Sequence, residues 1–351
     1  MMVKNKFICG VSGVFIIAEV GSNFRMGTYD RDLSMALKLI DIAADSGVNA
    51  VKFQSFNSSR YYAYSDKTLS YLNSENKSLN DIVNDLELSP DFLPRLAEHC
   101  KKKSVMFLST PFSVKDFKLI EPYVDIVKVA SYEINHVPLL TAIAKSGKSV
   151  ILSTGASELS DIEYAINILK QNGSGNIALL QCTAAYPANP NDMNLLCMQS
   201  IGEKFSLPFG LSDHSEAPTV APVIATALGA SVIEKHFTLN KDLPGPDHSF
   251  SVNPEGLKML VNSVRLAERM MGAKTKKVRR VEKELFRFAK RALHATKNIK
   301  KGETLVLGKN YDVLRPGYQV PGAHPRHLDA NGREALTNID KGVGIQISDV
   351  G

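Results

Sequence analysis

SVIEKHFTL (231–239) is a short run of β-branched and apolar residues broken by Glu234, Lys235 and His236. Such a run, bounded by turn residues, predicts a strand buried on both faces, and its polar members stand where the strand ends. Seven earlier runs share that character: FIIAEV (15–20) with Glu19, AVKFQSF (50–56) with Lys52 and Gln54, VMFLST (105–110) with Thr110, and IVKVAS (126–131) with Lys128 and Ser131. The others are VILSTG (150–155) with Ser153, IALLQCTAAYP (177–187) with Thr183 and Tyr186, and PFGLSDHS (208–215) with Ser212 and His214. Between most of them lie amphipathic stretches such as RDLSMALKLIDIAADSG (31–47) and SELSDIEYAINILKQNG (157–173), apolar at helical spacing and stopping at Gly. Eight strand–helix units predict a parallel (β/α)8 TIM barrel, whose catalytic residues gather at the C-terminal strand ends.

A barrel of about 250 residues leaves room in a chain of 351 for one small extra domain. The last barrel helix, LKMLVNSVRLAERMMG, ends at Gly272, so residues 1–272 are expected to form the catalytic domain and 273–285 a linker. KTKKVRR (274–280) reads as solvated linker, since no aromatic residues interleave it as in a nucleic-acid patch. From 286 to 351 the sequence turns to short runs between Gly turns, a small mostly β domain, in which ATKNIKKGET (295–304) and ALTNIDKGVG (335–344) form a weak internal repeat. The long interval 57–90, rich in Tyr, Ser and Asn, is expected as a loop over the barrel mouth, with Tyr61, Tyr62 and Tyr64 able to contact a ligand.

The net charge of +6 comes mostly from dispersed Lys and Arg and gives no nucleic-acid footprint. Cys9, Cys100, Cys182 and Cys197 show no CxxC spacing and fit a reducing cytoplasm. The N-terminal MMVKNKFICGVSGVFIIAEV has two lysines before an apolar run, but Gly10, Ser12 and Gly13 interrupt it and it ends in Glu19, so it reads as lead-in and first strand rather than signal peptide. No run reaches the ~18 apolar residues of a membrane span.

Three constellations carry the chemistry. His214 and His236, at the ends of neighbouring strands with Asp213 and Glu234 close in sequence, suit a divalent metal that keeps open positions and polarises a carbonyl. Lys52 and Lys128, inside buried strands, need an anion, which is either a core carboxylate such as Glu19 or, with Ser131, Ser153 and Ser212 as donors, a small polyanion. Glu19, Gln54, Glu133, Tyr186 and Asp247 suit hydroxyl binding and proton transfer.

These motifs together resemble the sialic acid synthase family, which includes N-acetylneuraminate synthase and the legionaminic and pseudaminic acid synthases. The resemblance runs nearly end to end, through IIAEVGSN (16–23), VKFQSF (51–56), STPFS (109–113), VKVASYE (127–133), ILSTGAS (151–157), LLQCTAAYP (179–187), GLSDHS (210–215), GASVIEKHFTL (229–239) and GPDHSFSVNP (245–254). KRALHATKNIKKGE (290–303) and LRPG (314–317) resemble the family's antifreeze-like, or SAF, domain. The resemblance implies condensation of phosphoenolpyruvate with an open-chain N-acetylated aldose, by default N-acetylmannosamine, to a nine-carbon 2-keto acid and phosphate. It implies Mn²⁺, or else Mg²⁺ or Co²⁺, on His214 and His236; phosphoenolpyruvate on Lys52, Lys128, Ser131, Ser153, Ser212 and Lys290; the sugar among Glu19, Gln54, Tyr186 and Asp247; and Glu133 as acid/base. It further implies a domain-swapped homodimer in which Arg315 reaches the sugar's N-acetyl group in the partner's barrel. NFRMG (23–27), with Phe24 where a histidine is common, and Ala184, where a polar residue is common, depart from the pattern and leave the acceptor open between N-acetylmannosamine, its 6-phosphate and a 2,4-diacetamido-trideoxyhexose. The competing readings from the residues are a Schiff-base aldolase using Lys128 or Lys52 and a non-catalytic sugar-binding protein.

Overall fold

A computed structural model of the chain describes residues 13–62 and 79–351, so Cys9 and Tyr64 lie outside the described residues. The chain divides into two compact units at Gly272/Ala273.

The first unit carries eight parallel strands: β1 (Phe15–Gly21), β2 (Ala50–Ser55), β3 (Met106–Pro111), β4 (Ile126–Val129), β5 (Ser149–Ser153), β6 (Ile177–Cys182), β7 (Phe209–Asp213) and β8 (Val232–His236). Their order is β3-β2-β1-β8-β7-β6-β5-β4, and β3 packs beside β4, so the sheet curls into a nearly closed barrel. Helices α1 (Tyr29–Ser46), α2 (Leu79–Asp85), α3 (Phe92–Lys102), α4 (Val114–Ile120), α5 (Val137–Lys145), α6 (Leu159–Gln171), α7 (Cys197–Phe205), α8 (Val220–Ala227) and α9 (Pro254–Met271) connect or follow the strands. Helix α1 stops where the sequence predicts, because Gly47 adopts a left-handed conformation (φ 86°) and its N–H bonds back to Ala43 and Ala44.

Strand alternation divides the core into two layers. Phe15, Ile17, Ala50, Leu108, Ile126, Ile151, Ala178, Leu180 and Val232 fill the barrel interior at its N-terminal end. Alternate strand positions, among them Ile16, Val51, Phe107, Val127, Leu179, Leu211 and Ile233, face outward into the shell beneath the helices. The next inward positions toward the C-terminal end are the polar ones, which places the site above an apolar floor.

The interval 57–90 is more than loop: it contains a short 3-10 turn at Ser58–Arg60 and helix α2. Phe56, Tyr61, Tyr62, Leu79, Val83, Leu86 and Phe112 pack there into a satellite apolar cluster. Phe24 is fully buried and packs against Phe53 (6.0 Å between ring centres) and Phe92 (6.3 Å). It therefore belongs to the shell between barrel and helices, not to the pocket lining that its place in the first loop suggests.

The second unit begins before residue 286: helix α10 (Lys283–Ala289) spans the end of the expected linker and the start of the expected domain. Beyond it, β9 (Ala292–Ala295) and β10 (Tyr311–Leu314) pair antiparallel. The weak internal repeat is a local two-fold. Gly302 N–H bonds Ala335 O and Gly342 N–H bonds Ala295 O; Lys301 N–H bonds Asn338 and Lys341 N–H bonds Asn298; Ile299 and Ile339 exchange both backbone bonds. Leu293, Ile299, Leu305, Tyr311, Ile339 and Ile345 form its own small core.

No helix among the described residues is long and apolar enough to cross a membrane. Cys100, Cys182 and Cys197 are free thiols.

Candidate active site

The inward positions at the C-terminal strand ends converge on a buried charge network. Lys52 on β2 lies 2.7 Å from Glu19 Oε2 on β1, donates to Thr110 Oγ1 on β3 at 2.9 Å, and is 3.7 Å from Glu234 Oε2 on β8. Lys128 on β4 donates to Ser153 Oγ on β5 at 2.6 Å and to Val129 O at 3.1 Å, with Glu234 Oε1 at 3.8 Å. Ser212 on β7 donates to that same Glu234 oxygen at 3.1 Å. Two lysines thus face two carboxylates, and of the two anions the sequence allows them, the structure pairs them with the core carboxylates.

The electrostatics follow. Burial pushes the Glu19 carboxyl up, opposed by Lys52 and reinforced by Glu234. Glu234 feels the same burial, but Lys128 and Lys52 outweigh it and hold it below its ordinary value. Burial opposes a charged Lys52, yet Glu19 and Glu234 raise it, whereas for Lys128 burial prevails and lowers it. Glu234 Oε2 accepts no hydrogen bond, so this network has spare acceptor capacity.

Beside the network stand the two histidines, ring centres 5.4 Å apart. His214 Nδ1 bonds the Thr183 carbonyl at 2.9 Å and has Cys182 Sγ at 3.8 Å. His236 Nδ1 is buried without a hydrogen-bond partner, 3.7 Å from Asp247 Oδ2. Burial, then His214 and the nearby lysines, keeps His236 well below the usual imidazole range, hence neutral. Burial also opposes a charged His214, but Cys182 and the Thr183 carbonyl outweigh it. Two imidazoles, one neutral and with an orphaned nitrogen, are donors a divalent cation accepts. No three His, Cys, Asp or Glu side chains among the described residues form a closed metal cage.

Tyr186 packs its ring on His214 (4.3 Å) and, with Phe250, walls the histidines on one side. Gln54 Nε2 donates to Glu19 Oε1 at 2.9 Å. Gln54, Glu19 and Asp247 surround Gly21, where a Cβ would come within 3.4 Å of all three; the residue needs both the space and its positive φ of 54°. Burial, with Glu19 adding to it, pushes Asp247 up to about 7. Ser131, in the turn after β4, accepts the Gly155 N–H at 3.0 Å. Glu133, two residues on, has a sealed Oε2 without a partner, and burial pushes it up to about 7 against the pull of Lys128.

Twelve of the fourteen expected site residues lie on the barrel's strand ends and the loops that follow them. Lys290 and Arg315 belong to the C-terminal unit, where both are exposed. Two expectations are corrected. Neither Asp213 nor Glu234 hydrogen-bonds a histidine ring: Asp213 pairs with Lys235, and Glu234 faces the lysines. Thr110, to which the sequence gives no task, orients Lys52; only its inward place at the end of β3 hints at this. Cys182 and Phe250 also escape sequence reasoning, being ordinary core residue types.

Known proteins match this chain along most of its length. The NeuB family matches residues 39–276. The N,N'-diacetyllegionaminic acid synthase of Campylobacter jejuni is 42% identical over 307 residues, covering 86% of this chain and 90% of that protein. The spore coat polysaccharide biosynthesis protein SpsE of Bacillus subtilis is 36% identical over 365 residues, covering 99% and 96%. Among solved structures, an N-acetylneuraminic acid synthetase from Leptospira borgpetersenii in complex with citrate superposes with a TM-score of 0.70 at 35% identity, covering 80% of this chain and 94% of that one. With the family matched over more than half the chain, and relatives named as sugar-acid synthases, this protein belongs to the NeuB family and is a sugar-acid synthase.

Proposed function

We propose that the protein condenses phosphoenolpyruvate with an N-acetylated aldose and water to give a nine-carbon 2-keto sugar acid and phosphate. The observation that carries this is the join of two unlike subsites within one barrel mouth: a lysine–serine ring on an apolar floor, and a histidine pair ringed by hydroxyl-binding groups.

Lys52, Lys128, Ser131, Ser153 and Ser212 bind the phosphate and carboxylate of phosphoenolpyruvate, whose charge takes over the lysines from Glu19 and Glu234. Glu19, Gln54, Tyr186 and Asp247 bind the sugar hydroxyls and turn its aldehyde toward C3 of phosphoenolpyruvate. A new bond forms between C3 and the aldehyde carbon, water adds at C2, and the C2–O bond breaks to release phosphate. Glu133, poised near neutrality, exchanges the proton that accompanies water addition. His214 and His236 would hold a divalent metal, Mn²⁺ before Mg²⁺ or Co²⁺, which would supply Lewis acidity toward the sugar aldehyde.

The C. jejuni relative is named for a product with two N-acetyl groups and is 42% identical, against 30% for the N-acetylneuraminate-9-phosphate synthase of Mus musculus. That favours a 2,4-diacetamido-trideoxyhexose as acceptor over N-acetylmannosamine. Assembly is proposed as a swapped homodimer in the cytoplasm, with Lys290 and Arg315 of one subunit completing the partner's site. It is supported by the exposed apolar side chains of the C-terminal unit, among them Val281 (88% exposed) and Tyr318 (98%).

The test is phosphate release from phosphoenolpyruvate against a panel of these sugars with Mn²⁺ or Mg²⁺, using His214→Ala as the blank. Sugar-dependent, EDTA-sensitive release with the diacetamido sugar preferred is expected. A borohydride-trapped lysine adduct with a keto acid, and no phosphate release, would overturn it.

A further inference from the structure

One buried ion pair takes no part in the barrel mouth. Asp213 and Lys235 are register partners on β7 and β8, each immediately preceding a histidine. Because Ser212 and Glu234 face inward, strand alternation turns Asp213 and Lys235 outward, into the shell beneath the helices. Each is only 1% exposed.

The pair is tied to one loop. Lys235 Nζ donates to Asp213 Oδ2 at 2.7 Å, to Ser215 Oγ and Ala217 O at 3.2 Å each, and to the Ser215 carbonyl. Asp213 Oδ1 accepts the Ser215 N–H at 2.8 Å. His214 therefore sits between two residues clamped to the strand that ends in His236, and its own carbonyl is held by the Ala188 N–H at 3.0 Å. An apolar pair of similar volume would fill this place without the desolvation cost of two charges. What apolar side chains cannot supply is directional bonds from β8 to the backbone on either side of His214.

We propose that Asp213 and Lys235 are positioning residues that fix the His214 and His236 imidazoles relative to each other for binding a divalent cation. This rests on the reading of the two histidines as that cation's ligands.

The test is Mn²⁺ binding to the purified full-length protein, followed by the electron paramagnetic resonance signal of free Mn²⁺, alongside thermal unfolding without metal and KM for phosphoenolpyruvate. The double variant Lys235→Met/Asp213→Leu removes the pair whole and leaves no unpaired buried charge. It strips the Ser215 N–H and the Ser215 and Ala217 carbonyls of these partners, so its unfolding midpoint should fall; the folded protein should nonetheless bind Mn²⁺ at least about tenfold more weakly and keep its KM for phosphoenolpyruvate. A pair that merely stabilised the fold would move the midpoint and leave metal affinity alone. Should the double variant not fold, Asp213→Asn, which keeps the shape but loosens the bond to Lys235, should weaken Mn²⁺ several-fold. Unchanged affinity in the variant that folds overturns the proposal. Wild type binding no Mn²⁺, or His214→Ala binding it as tightly as wild type, would instead overturn the assignment of the histidines as ligands.

Discussion

Glu133 shows how one residue ties the fold's stability to the site's chemistry. Its carboxyl stands half-buried in the turn after β4 with one oxygen sealed and unpartnered, and burial lifts it from 4.5 to about 7 against the opposing Lys128. The folded state then holds a proton more tightly than the unfolded chain. That contribution is fully present below about pH 4.5 and is lost as pH rises through 7. Glu133→Gln keeps the neutral shape at every pH. Its stability relative to wild type should therefore grow between pH 5 and pH 8, by at most roughly 3 kcal/mol, in urea unfolding at the two pH values. The same variant should lose most of kcat and the kinetic limb near neutrality. An equal stability difference at both pH values would show that the carboxyl ionises without penalty, and would count against the acid/base role proposed for it.

At the scale of elements, the eight strands were readable because strands buried on both faces have little choice but Val, Ile, Leu and Phe, with polar residues admitted only near their ends. Parity decides which polar residues meet, and here sequence proximity misled. Glu234 lies two residues before His236 and so faces the same way but one layer deeper, roughly 6–7 Å along the strand, where it meets the lysines. Asp213 is adjacent to His214 and so faces the opposite way. The short helix α2 is Asn- and Asp-rich, and its apolar residues Leu79, Ile82 and Val83 keep helical spacing for only one turn, too short a run to stand out from a loop. Gly210 on β7 is the element-scale counterpart of the apolar floor. A Cβ there would stand 2.0 Å from the Val232 carbonyl oxygen on β8 and 3.0 Å from Leu180 on β6, so the backbones approach more closely than any side chain allows. Gly210→Ala should force β7 and β8 apart, cost more than about 3 kcal/mol, and appear as loss of soluble protein or a collapsed unfolding midpoint. A variant with wild-type stability would mean that these strands can separate freely, contrary to the ladder that seats both histidines.

At the scale of the molecule, the question is whether one chain can make a complete site. The barrel supplies the charge network, the histidine pair and the hydroxyl-binding groups, all within the unit ending at Gly272. Lys290 and Arg315 stand in the other unit, where both are exposed. Mixing subunits separates the two arrangements. Take one subunit bearing Arg315→Ala and another bearing His236→Ala, each inactive alone. If each site joins one chain's barrel to the other chain's C-terminal unit, every heterodimer holds one site with both residues intact and one lacking both. Random pairing from equal amounts makes half the dimers mixed, so activity should return to about a quarter of wild type. If each chain completes its own site, every site in the mixture lacks one of the two residues and no activity returns. Co-expression with two affinity tags isolates the mixed dimer, where the swapped arrangement predicts about half of wild-type activity; its absence in verified mixed dimers would assign Arg315 to the barrel of its own chain.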